Sequence, residues 1–407
     1  MTTSAAVGKS GAGVATSLAI LLASYAALGP LSLDIYLPAV GALSTELHAS
    51  PQQATSSLSI FFIGMALGQL FVGPWSDRVG RRLPLLMGLM LAIGGTSICA
   101  LAPSMPVLLF GRLIQALGGA SVMVTGRATI RDHMDERGAA SFFSMTATIN
   151  SLAPMLAPLL GAAVLTVSGW RGIFVLTASL SLALLVATMR LLPRDRGAHT
   201  AEPPQPFLKG YATLLRHRQF LGFLFTAGAN GASYFTYMAL SPLVLMQVYK
   251  LTPTVYSLVL GLTGVSLIIA AQVNRRLLRS HTPREILGWA ATSSLVLTVP
   301  MAVWAFTGIG GLPVLILLIF LVMSSSAFVQ ANSIAAGLSV VPKAAGSAAA
   351  LFGAALFGSG TLSSFLGGLF FDGTSRSMTL LMAAALLVMT LALRLLALRP
   401  EPNAVAV

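Results

Sequence analysis

Charged residues are scarce in this sequence: Asp, Glu, Lys and Arg together make up 9% of its 407 residues, against about a quarter in soluble domains. A soluble fold of this length would need far more charge to cover its surface. Hydrophobic residues make up 56% of the chain, and they form long blocks rather than short alternating strands. The composition therefore excludes an ordinary soluble protein and indicates a chain that lies in a lipid bilayer.

Sequence signals for metal sites, disulfides and catalysis are also missing. The single cysteine, Cys99, allows no disulfide within the chain, and no Cys or His cluster has the spacing of a metal site. No P-loop, HExxH, GxSxG or kinase-like signature stands in a suitable context. We therefore predict no enzyme, no cofactor and no bound metal, and the sequence gives no sign of direct ATP use.

Acidic residues number 11 against 24 basic ones, which gives a net charge of +13. A strongly basic chain is often a nucleic-acid-binding protein. Here, however, the arginines lie in short connections between apolar blocks, and no block forms a basic face with interleaved aromatic residues. The sequence predicts no nucleic-acid partner, and membrane topology accounts for the basic residues better.

Twelve apolar segments are long enough to cross the hydrocarbon core, which requires about 20 residues. They lie at approximately 14–39, 53–75, 83–102, 105–126, 139–167, 171–192, 219–246, 254–274, 285–307, 312–338, 345–370 and 377–398. The first begins like a signal peptide after Lys9, but its apolar run continues to Val40, so we interpret it as a retained span. The predicted fold class is an all-α membrane protein with twelve transmembrane helices.

The basic residues also orient these spans. If both termini are cytoplasmic, the outer connections carry only Arg171, Lys250 and Arg376, and Arg112 is the only basic residue within a span. Every other basic residue then lies on the cytoplasmic side, as the positive-inside rule requires. An even number of spans with cytoplasmic termini is therefore predicted.

The longest connection, residues 194–218, contains the run PPQP followed by a short basic amphipathic stretch. It divides the chain into an N-terminal six-helix half (residues 1–193), a cytoplasmic linker (194–218) and a C-terminal six-helix half (219–407). Two such halves are typical of a transporter that binds its substrate between them, near the middle of the bilayer.

Five stretches carry a resemblance to a known family. They are GPWSDRVGRR at 73–82, GRLIQALGGA at 111–120, SLAPMLAPLLG at 151–161, LDIYLPAV at 33–40 and IRDHMDERG at 130–138. The first three resemble motifs of the major facilitator superfamily, and the last two narrow the resemblance to its Bcr/CflA-like multidrug resistance group. Ala116, Ala153 and Ala157 stand where glycine is more usual, although all three are small. The resemblance implies the major facilitator fold, proton-coupled drug export and a monomer in the bacterial cytoplasmic membrane.

Only one acid, Asp34, lies clearly within a span, and an embedded carboxylate usually marks a substrate pathway or proton relay. Counting residues along the first and fourth spans places Asp34 and Arg112 at the same depth, roughly 10 Å below the outer surface. We therefore expect them to face each other and to couple proton binding to conformation, a role that the resemblance supports for Arg112. The alternatives are a static ion pair or, for Asp34, a water-facing position near a helix end.

The loop at 73–82 resembles one that clamps the cytoplasmic side while the outer side is open. We expect Asp77 to lie at the positive N-terminus of a helix of the other half, near Gly346. The predicted gating residues are Gly73, Asp77, Arg78, Gly80 and Arg81. The alternative is that the arginines only keep this loop in the cytoplasm, which leaves Asp77 unexplained.

Pro154 and Pro158 lie on one face of the fifth span, with Gly161 one turn further on. These residues are predicted to bend the helix and to let a neighbouring helix approach closely. The alternative is a kink without a mechanistic role.

Polar and aromatic residues in the spans predict a substrate cavity. The candidates are Tyr36, Gln115, Asn150, Asn230, Tyr234, Tyr237, Ser241 and Asn332. The four in the seventh span are spaced 4, 3 and 4 residues apart and so share one helical face. A mostly apolar cavity with one carboxylate suits lipophilic neutral or monocationic compounds. Two alternatives stay open: the polar groups bond helix to helix, or the chain is a dedicated metabolite exporter or importer on the same fold.

Overall fold

The computed structural model describes residues 20–25, 27–29, 31–133, 136–192 and 207–398, and at 131, 133, 136–154, 207–210 and 343 the description is limited to the backbone. The helices are α1 (Ile20–Gly29), α2 (Leu31–Glu46), α3 (Pro51–Val79), α4 (Arg82–Ala100), α5 (Met105–His133), α6 (Glu136–Leu191), α7 (Phe207–Leu214), α8 (Arg218–Ser241), α9 (Pro253–Leu277), α10 (Pro283–Thr307), α11 (Gly311–Val340), α12 (Ala345–Leu369) and α13 (Arg376–Ala392). Within these ranges the ordered elements are all helical, as the composition predicts.

Several helices begin at capping signals that can be read from the sequence. Ser50 and Gln53 form a reciprocal capping box at the start of α3, and Thr282 and Glu285 form another at the start of α10. These pairs satisfy backbone N–H groups that have no partner within the helix. The span boundaries are therefore fixed by local chemistry as well as by hydrophobicity.

The number of spans depends on the bent pair α1 and α2 and on the helices α6 and α8. Among the described residues, nine helices are long and apolar enough to cross a membrane, and the bent pair α1 and α2, which meet at 42°, adds a tenth. Helix α6 is 56 residues long and has a non-helical residue at Gly169, so it contains two spans. Helix α8, with 24 residues, is not among the nine and supplies the twelfth. The predicted all-α fold of twelve transmembrane helices in two six-helix halves is confirmed.

Two helix pairs join the halves: α3 packs on α12, and α6 packs on α9. The first contact includes the ring of Phe62, whose centroid lies 6.3 Å from that of Phe357 in α12. In the second, the Ser257 hydroxyl donates to the carbonyl of Pro158 at 3.0 Å. Large apolar side chains such as Leu91, Val296 and Phe306 are exposed on the outside of the bundle, where lipid would cover them.

The bundle has two ends, which we call the basic face and the opposite face. The basic face contains the α3–α4 turn at Gly80 and the α9–α10 connection, and the opposite face contains the connections at 47–50, 101–104, 249–252, 308–310 and 370–375. On the opposite face, α2 packs against residues 242–248 of the other half. Val40, Leu43 and Leu245 are buried there, so the bundle is closed on this side.

Candidate functional site

The first span is not a continuous helix at its functional centre. Regular helix ends at Asp34, Ile35 and Tyr36 form a turn, and Leu37–Ala39 form a short 3-10 helix before regular helix resumes at Val40. Irregular backbone at membrane depth is tolerated only where protein or a water-filled cavity surrounds it. The apolar pattern of the sequence did not predict this break, although it does place Asp34 within the span.

Asp34 is buried, with 2% of its surface exposed, at the contact between the two halves. The hydroxyls of Tyr234 in α8 and Tyr256 in α9 lie within electrostatic range of its carboxylate. None of the residues whose side chains are described donates a hydrogen bond to its carboxylate. An unpaired carboxylate is costly to bury, and the proton-coupling role of Asp34 stays a prediction.

Arg112 is fully buried in α5. Its Nη1 donates to Gln115 Oε1 at 2.8 Å and to the carbonyl of Ser32 at 3.4 Å. The guanidinium also lies over the rings of Tyr36 and Phe61, at 4.5 Å and 4.3 Å from their centroids, so cation–π attraction compensates part of its lost hydration. Its Nε and Nη2 have no partner in the described part of the chain.

Asp34 and Arg112 do not form the direct pair that the sequence suggested, and that prediction is wrong for this conformation. The ion pairs among the described residues involve only Arg81 and Arg171. The two residues do share a depth, since Arg112 reaches the carbonyl of Ser32, two residues before Asp34. The rise per residue fixes depth but not rotation about the helix axis, and Asp34 lies within electrostatic range of Tyr234 and Tyr256 instead.

The four predicted cavity residues on one face of α8 contact several different partners rather than lining one cavity. Tyr234 is half-buried near Asp34. Ser241 forms a 3.0 Å hydrogen bond with the hydroxyl of Tyr256 in α9. The hydroxyl of Tyr237 is buried without a hydrogen bond to any described residue. Asn230 bonds to α11: its Nδ2 donates to Gln330 Oε1 at 3.1 Å and to the carbonyl of Ser326 at 3.2 Å.

Tyr36, Gln115 and Asn332 bond to neighbours within the bundle. The hydroxyl of Tyr36 lies 2.8 Å from that of Ser57, and Gln115 accepts from Arg112. Asn332 donates to Asn274 Oδ1 and to the carbonyl of Phe328, both at 2.8 Å. These contacts match the alternative in which polar groups join helix to helix.

Sequence reasoning missed Tyr256, which the structure brings to Ser241 and within electrostatic range of Asp34. It is a polar residue inside an apolar span, and this signal was available. Asn150 is a further cavity candidate whose side chain lies outside the described residues.

The fifth span, the first part of α6, approaches the broken segment of α2 at Gly161. A side chain at this position would overlap the backbone carbonyl of Ile35, so only glycine permits this approach. The side chain of Pro154 lies outside the described residues, and the backbone at Pro154 and Pro158 is helical. The bend at these prolines and its mechanistic role stay predictions, and the structure shows a close approach at Gly161.

The predicted gating loop forms its contacts within one half in this structure. Arg81 forms an ion pair with Asp77, donates from Nε to Asp132 Oδ2 at 2.7 Å and donates to the Ser76 hydroxyl at 2.9 Å. Gly80 has a φ of 86°, which permits the tight turn between α3 and α4.

The expected contact between Asp77 and α12 is not formed here. Helix α12 has no side-chain cap, and the position beside Gly346 is open. The resemblance implies this contact only when the opposite face is open, and here that face is closed. The gating roles of Gly73, Arg78 and the other loop residues stay a prediction.

A bundle of twelve spans with a buried ionisable site between its halves defines a polytopic membrane transporter. Residues 22–363 match the Major Facilitator Superfamily, which is most of the chain. The protein belongs to this family.

Two relatives of the chain have sequences similar to it. It is 31% identical over 359 residues to the uncharacterized MFS-type transporter YdgK of Bacillus subtilis, covering 87% of this chain and 89% of that protein. It is 30% identical over 244 residues to the multidrug resistance protein MdtL of Escherichia coli, covering 60% of this chain and 62% of that protein.

The fold is similar to the crystal structure of a bacterial homolog of the human lysosomal transporter Spinster, in an inward-facing and unoccupied conformation (TM-score 0.76, 14% identity, covering 96% of this chain and 99% of that one). It is also similar to the nucleoside transporter NupG, with a TM-score of 0.72 and 14% identity, covering 94% of this chain and 99% of that one. A D-xylose-proton symporter has a TM-score of 0.68 and 15% identity, covering 92% of this chain and 97% of that one. At these identities the likeness concerns the fold alone.

Members of this family are transporters and not enzymes, so the prediction of a non-enzymatic transporter is confirmed. The chain is a multi-pass membrane protein that moves small molecules.

Proposed function

We propose that the protein exports small lipophilic compounds across the bacterial cytoplasmic membrane in exchange for protons. It would act as a monomer by alternating access, with both termini in the cytoplasm. Asp34 would load a proton from the outer side and release it to the cytoplasm as the halves rock. The observation that carries the proposal is the burial of Asp34 at the contact between the halves, beside Tyr234 and Tyr256.

The surroundings of Asp34 support a lipophilic substrate. They include the aromatic side chains of Tyr234 and Tyr256, and aromatic surroundings with few polar groups suit shape and apolar area more than charge. The similarity to MdtL, a multidrug resistance protein, points in the same direction. The distribution of basic residues between the two faces supports the orientation.

A dye-efflux assay in a host without its own drug pumps tests the proposal. Cells expressing the protein should extrude a lipophilic dye more slowly once a protonophore removes the proton gradient. Asp34→Asn should reduce extrusion to the level of the empty host, because an amide cannot carry the proton. Reconstituted vesicles should show proton movement opposite to the substrate.

Glu46→Gln is the matched control, since it neutralises an acid on the opposite face rather than in the bundle. It should retain gradient-driven export. Active efflux that survives Asp34→Asn unchanged contradicts the coupling role, and substrate uptake in the same direction as protons favours the importer.

A further inference from the structure

Two amides in the C-terminal half, the buried Asn230 in α8 and the half-buried Gln330 in α11, form only one of the two hydrogen bonds that an amide pair can make. Asn230 Nδ2 donates to Gln330 Oε1 at 3.1 Å. Two primary amides side by side can form two reciprocal hydrogen bonds, but the return bond from Gln330 Nε2 to Asn230 Oδ1 is not made. Both of these atoms are buried without a hydrogen-bond partner in the described structure.

The orientation of both amides is fixed by a backbone group. Asn230 also donates to the carbonyl of Ser326 at 3.2 Å, and a carbonyl can only accept. Nδ2 must therefore face Ser326, which leaves Oδ1 as the free atom of Asn230. Since Nδ2 also points at Gln330, that side chain must present Oε1 to it and keep Nε2 free. The pair thus offers one acceptor and one donor next to each other.

Leaving these atoms unpaired is costly unless something else completes them. Asn230 is 1% exposed, and a buried polar atom without a partner forfeits the hydrogen bond it would make in water. Two amide atoms that stay unpaired would therefore only destabilise the fold, whereas atoms that bond to a bound substrate would contribute to binding. Asn332, in the same helix as Gln330, shows the contrast, because its donors are used by Asn274 and Phe328.

The pair also lies at the depth expected of a substrate. Asn230 is about 18 Å from the start of α8 and Gln330 about 15 Å from the end of α11, from the helical rise. The hydrocarbon core is about 30 Å thick, so both lie near its middle. Tyr234, one turn along α8 from Asn230, is within the electrostatic range of Asp34.

We propose that Asn230 and Gln330 bind neutral substrates by an edge that carries an N–H and a C=O side by side, as in primary carboxamides and lactams. The substrate N–H donates to Asn230 Oδ1, and its C=O accepts from Gln330 Nε2. This inference rests on the proposed transport function and names the substrate class for it. Esters and N,N-dialkyl amides of the same shape lack the donor and leave Oδ1 unpaired, which a polar site discriminates against.

Binding to the purified full-length protein tests this without transport. The probes are 4-butylbenzamide, its N,N-dimethyl analogue and the corresponding methyl ester, each competing with a fluorescent lipophilic dye. The wild-type protein should bind the primary amide about tenfold more tightly than either analogue, as expected for one hydrogen bond to a buried group. Asn230→Leu and Gln330→Met, which keep side-chain size, should remove this preference while dye binding persists.

Two further variants sharpen the test. Gln330→Glu retains an acceptor for Asn230 but loses the free donor, so it should also lose the preference. Gln272→Met removes an exposed amide of α9 that contacts Arg275, and it should leave the preference unchanged. Dye binding by each variant reports that it is folded.

A wild-type protein that binds all three probes equally, or a preference that survives both Asn230→Leu and Gln330→Met, would overturn the proposal. In that case the pair holds water or only joins α8 to α11. The binding assay needs no proton gradient. A negative export assay therefore does not refute amide binding, and a negative binding assay does not refute proton-coupled export.

Discussion

At the residue scale, the segment around Asp34 combines an irregular backbone with close packing from the other elements. Ile35 and Tyr36 leave the helix, and the carbonyl of Ile35 lies directly against Gly161 of α6. The Tyr36 ring lies on Arg112. A shift of α6 relative to α2 therefore moves the residue next to Asp34, which gives the fifth span a direct mechanical link to the carboxylate.

Replacing Gly161 with alanine tests this link. The added methyl group overlaps the Ile35 carbonyl, and crowding a packed site costs about 1–3 kcal/mol. We expect Gly161→Ala to lower the melting temperature of the purified protein and to impair export. Gly94→Ala is the control, because a methyl group at Gly94 meets no neighbouring atom. Equal export and melting temperature in the two variants would disprove the contact.

At the element scale, a polar cluster on the opposite face ties the end of α2 to the break in α6. Glu46 accepts from the indole of Trp170 at 2.7 Å and forms an ion pair with Arg171. Arg171 also donates to the carbonyl of Ala102 at 3.1 Å. Three connections of one half are therefore joined at a single carboxylate, which stiffens that half as a unit.

The cluster predicts a pH dependence. The hydrogen bond from Arg171, followed by that from Trp170, holds the pKa of Glu46 below its ordinary value. A carboxyl whose pKa is depressed in the folded protein stabilises it above the ordinary carboxyl range, and the contribution disappears as the pH falls through the folded pKa. Backbone amides at 44–48 and 168–172 should therefore exchange more slowly at pH 7 in the wild type than in Glu46→Gln.

Below the pKa of Glu46 the two proteins should exchange at the same rate, because the carboxyl is then protonated. Comparing them at each pH cancels the intrinsic pH dependence of exchange. A difference that persists at low pH would show that the glutamate acts through its shape rather than its charge.

At the scale of the whole molecule, the structure is closed on the opposite face, and Asp77 on the basic face does not reach α12. Asp77 and Asp132 both bind Arg81, so the gating loop is held within its own half. We predict that Asp77 contacts the start of α12 only in the other conformation, in which the opposite face opens.

Asp77→Asn should therefore favour the conformation described here. A carboxylate at a helix N-terminus contributes about 1 kcal/mol, so the open population should fall roughly fivefold. Spin labels introduced by Thr45→Cys and Lys250→Cys, one on each half at the opposite face, measure this change. The longer label-to-label distance, which belongs to the open conformation, should become less populated. Asp132→Asn is the control, because it also removes an ion pair of Arg81. An equal shift in both variants would show that the effect comes from the lost ion pair of Arg81 and not from a contact of Asp77 with α12.

The architecture was largely predictable from the sequence. Span lengths, the asymmetry of basic residues and the capping boxes at Ser50 and Thr282 are local properties, because the bilayer and the helix termini impose them on each segment separately. The depth of Asp34 and Arg112 followed in the same way from the rise per residue. Hydrophobicity also singled out these two residues as the embedded charges.

Tertiary structure decided which side chains meet. Asp34 and Arg112 do not form an ion pair, and Asn230 bonds to Gln330 across two helices that are far apart in the chain. These contacts depend on rotation about each helix axis and on how closely backbones approach at residues such as Gly161. Sequence fixes the length and depth of a membrane helix through its apolar run, but its rotation is set only when the neighbouring helices pack against it.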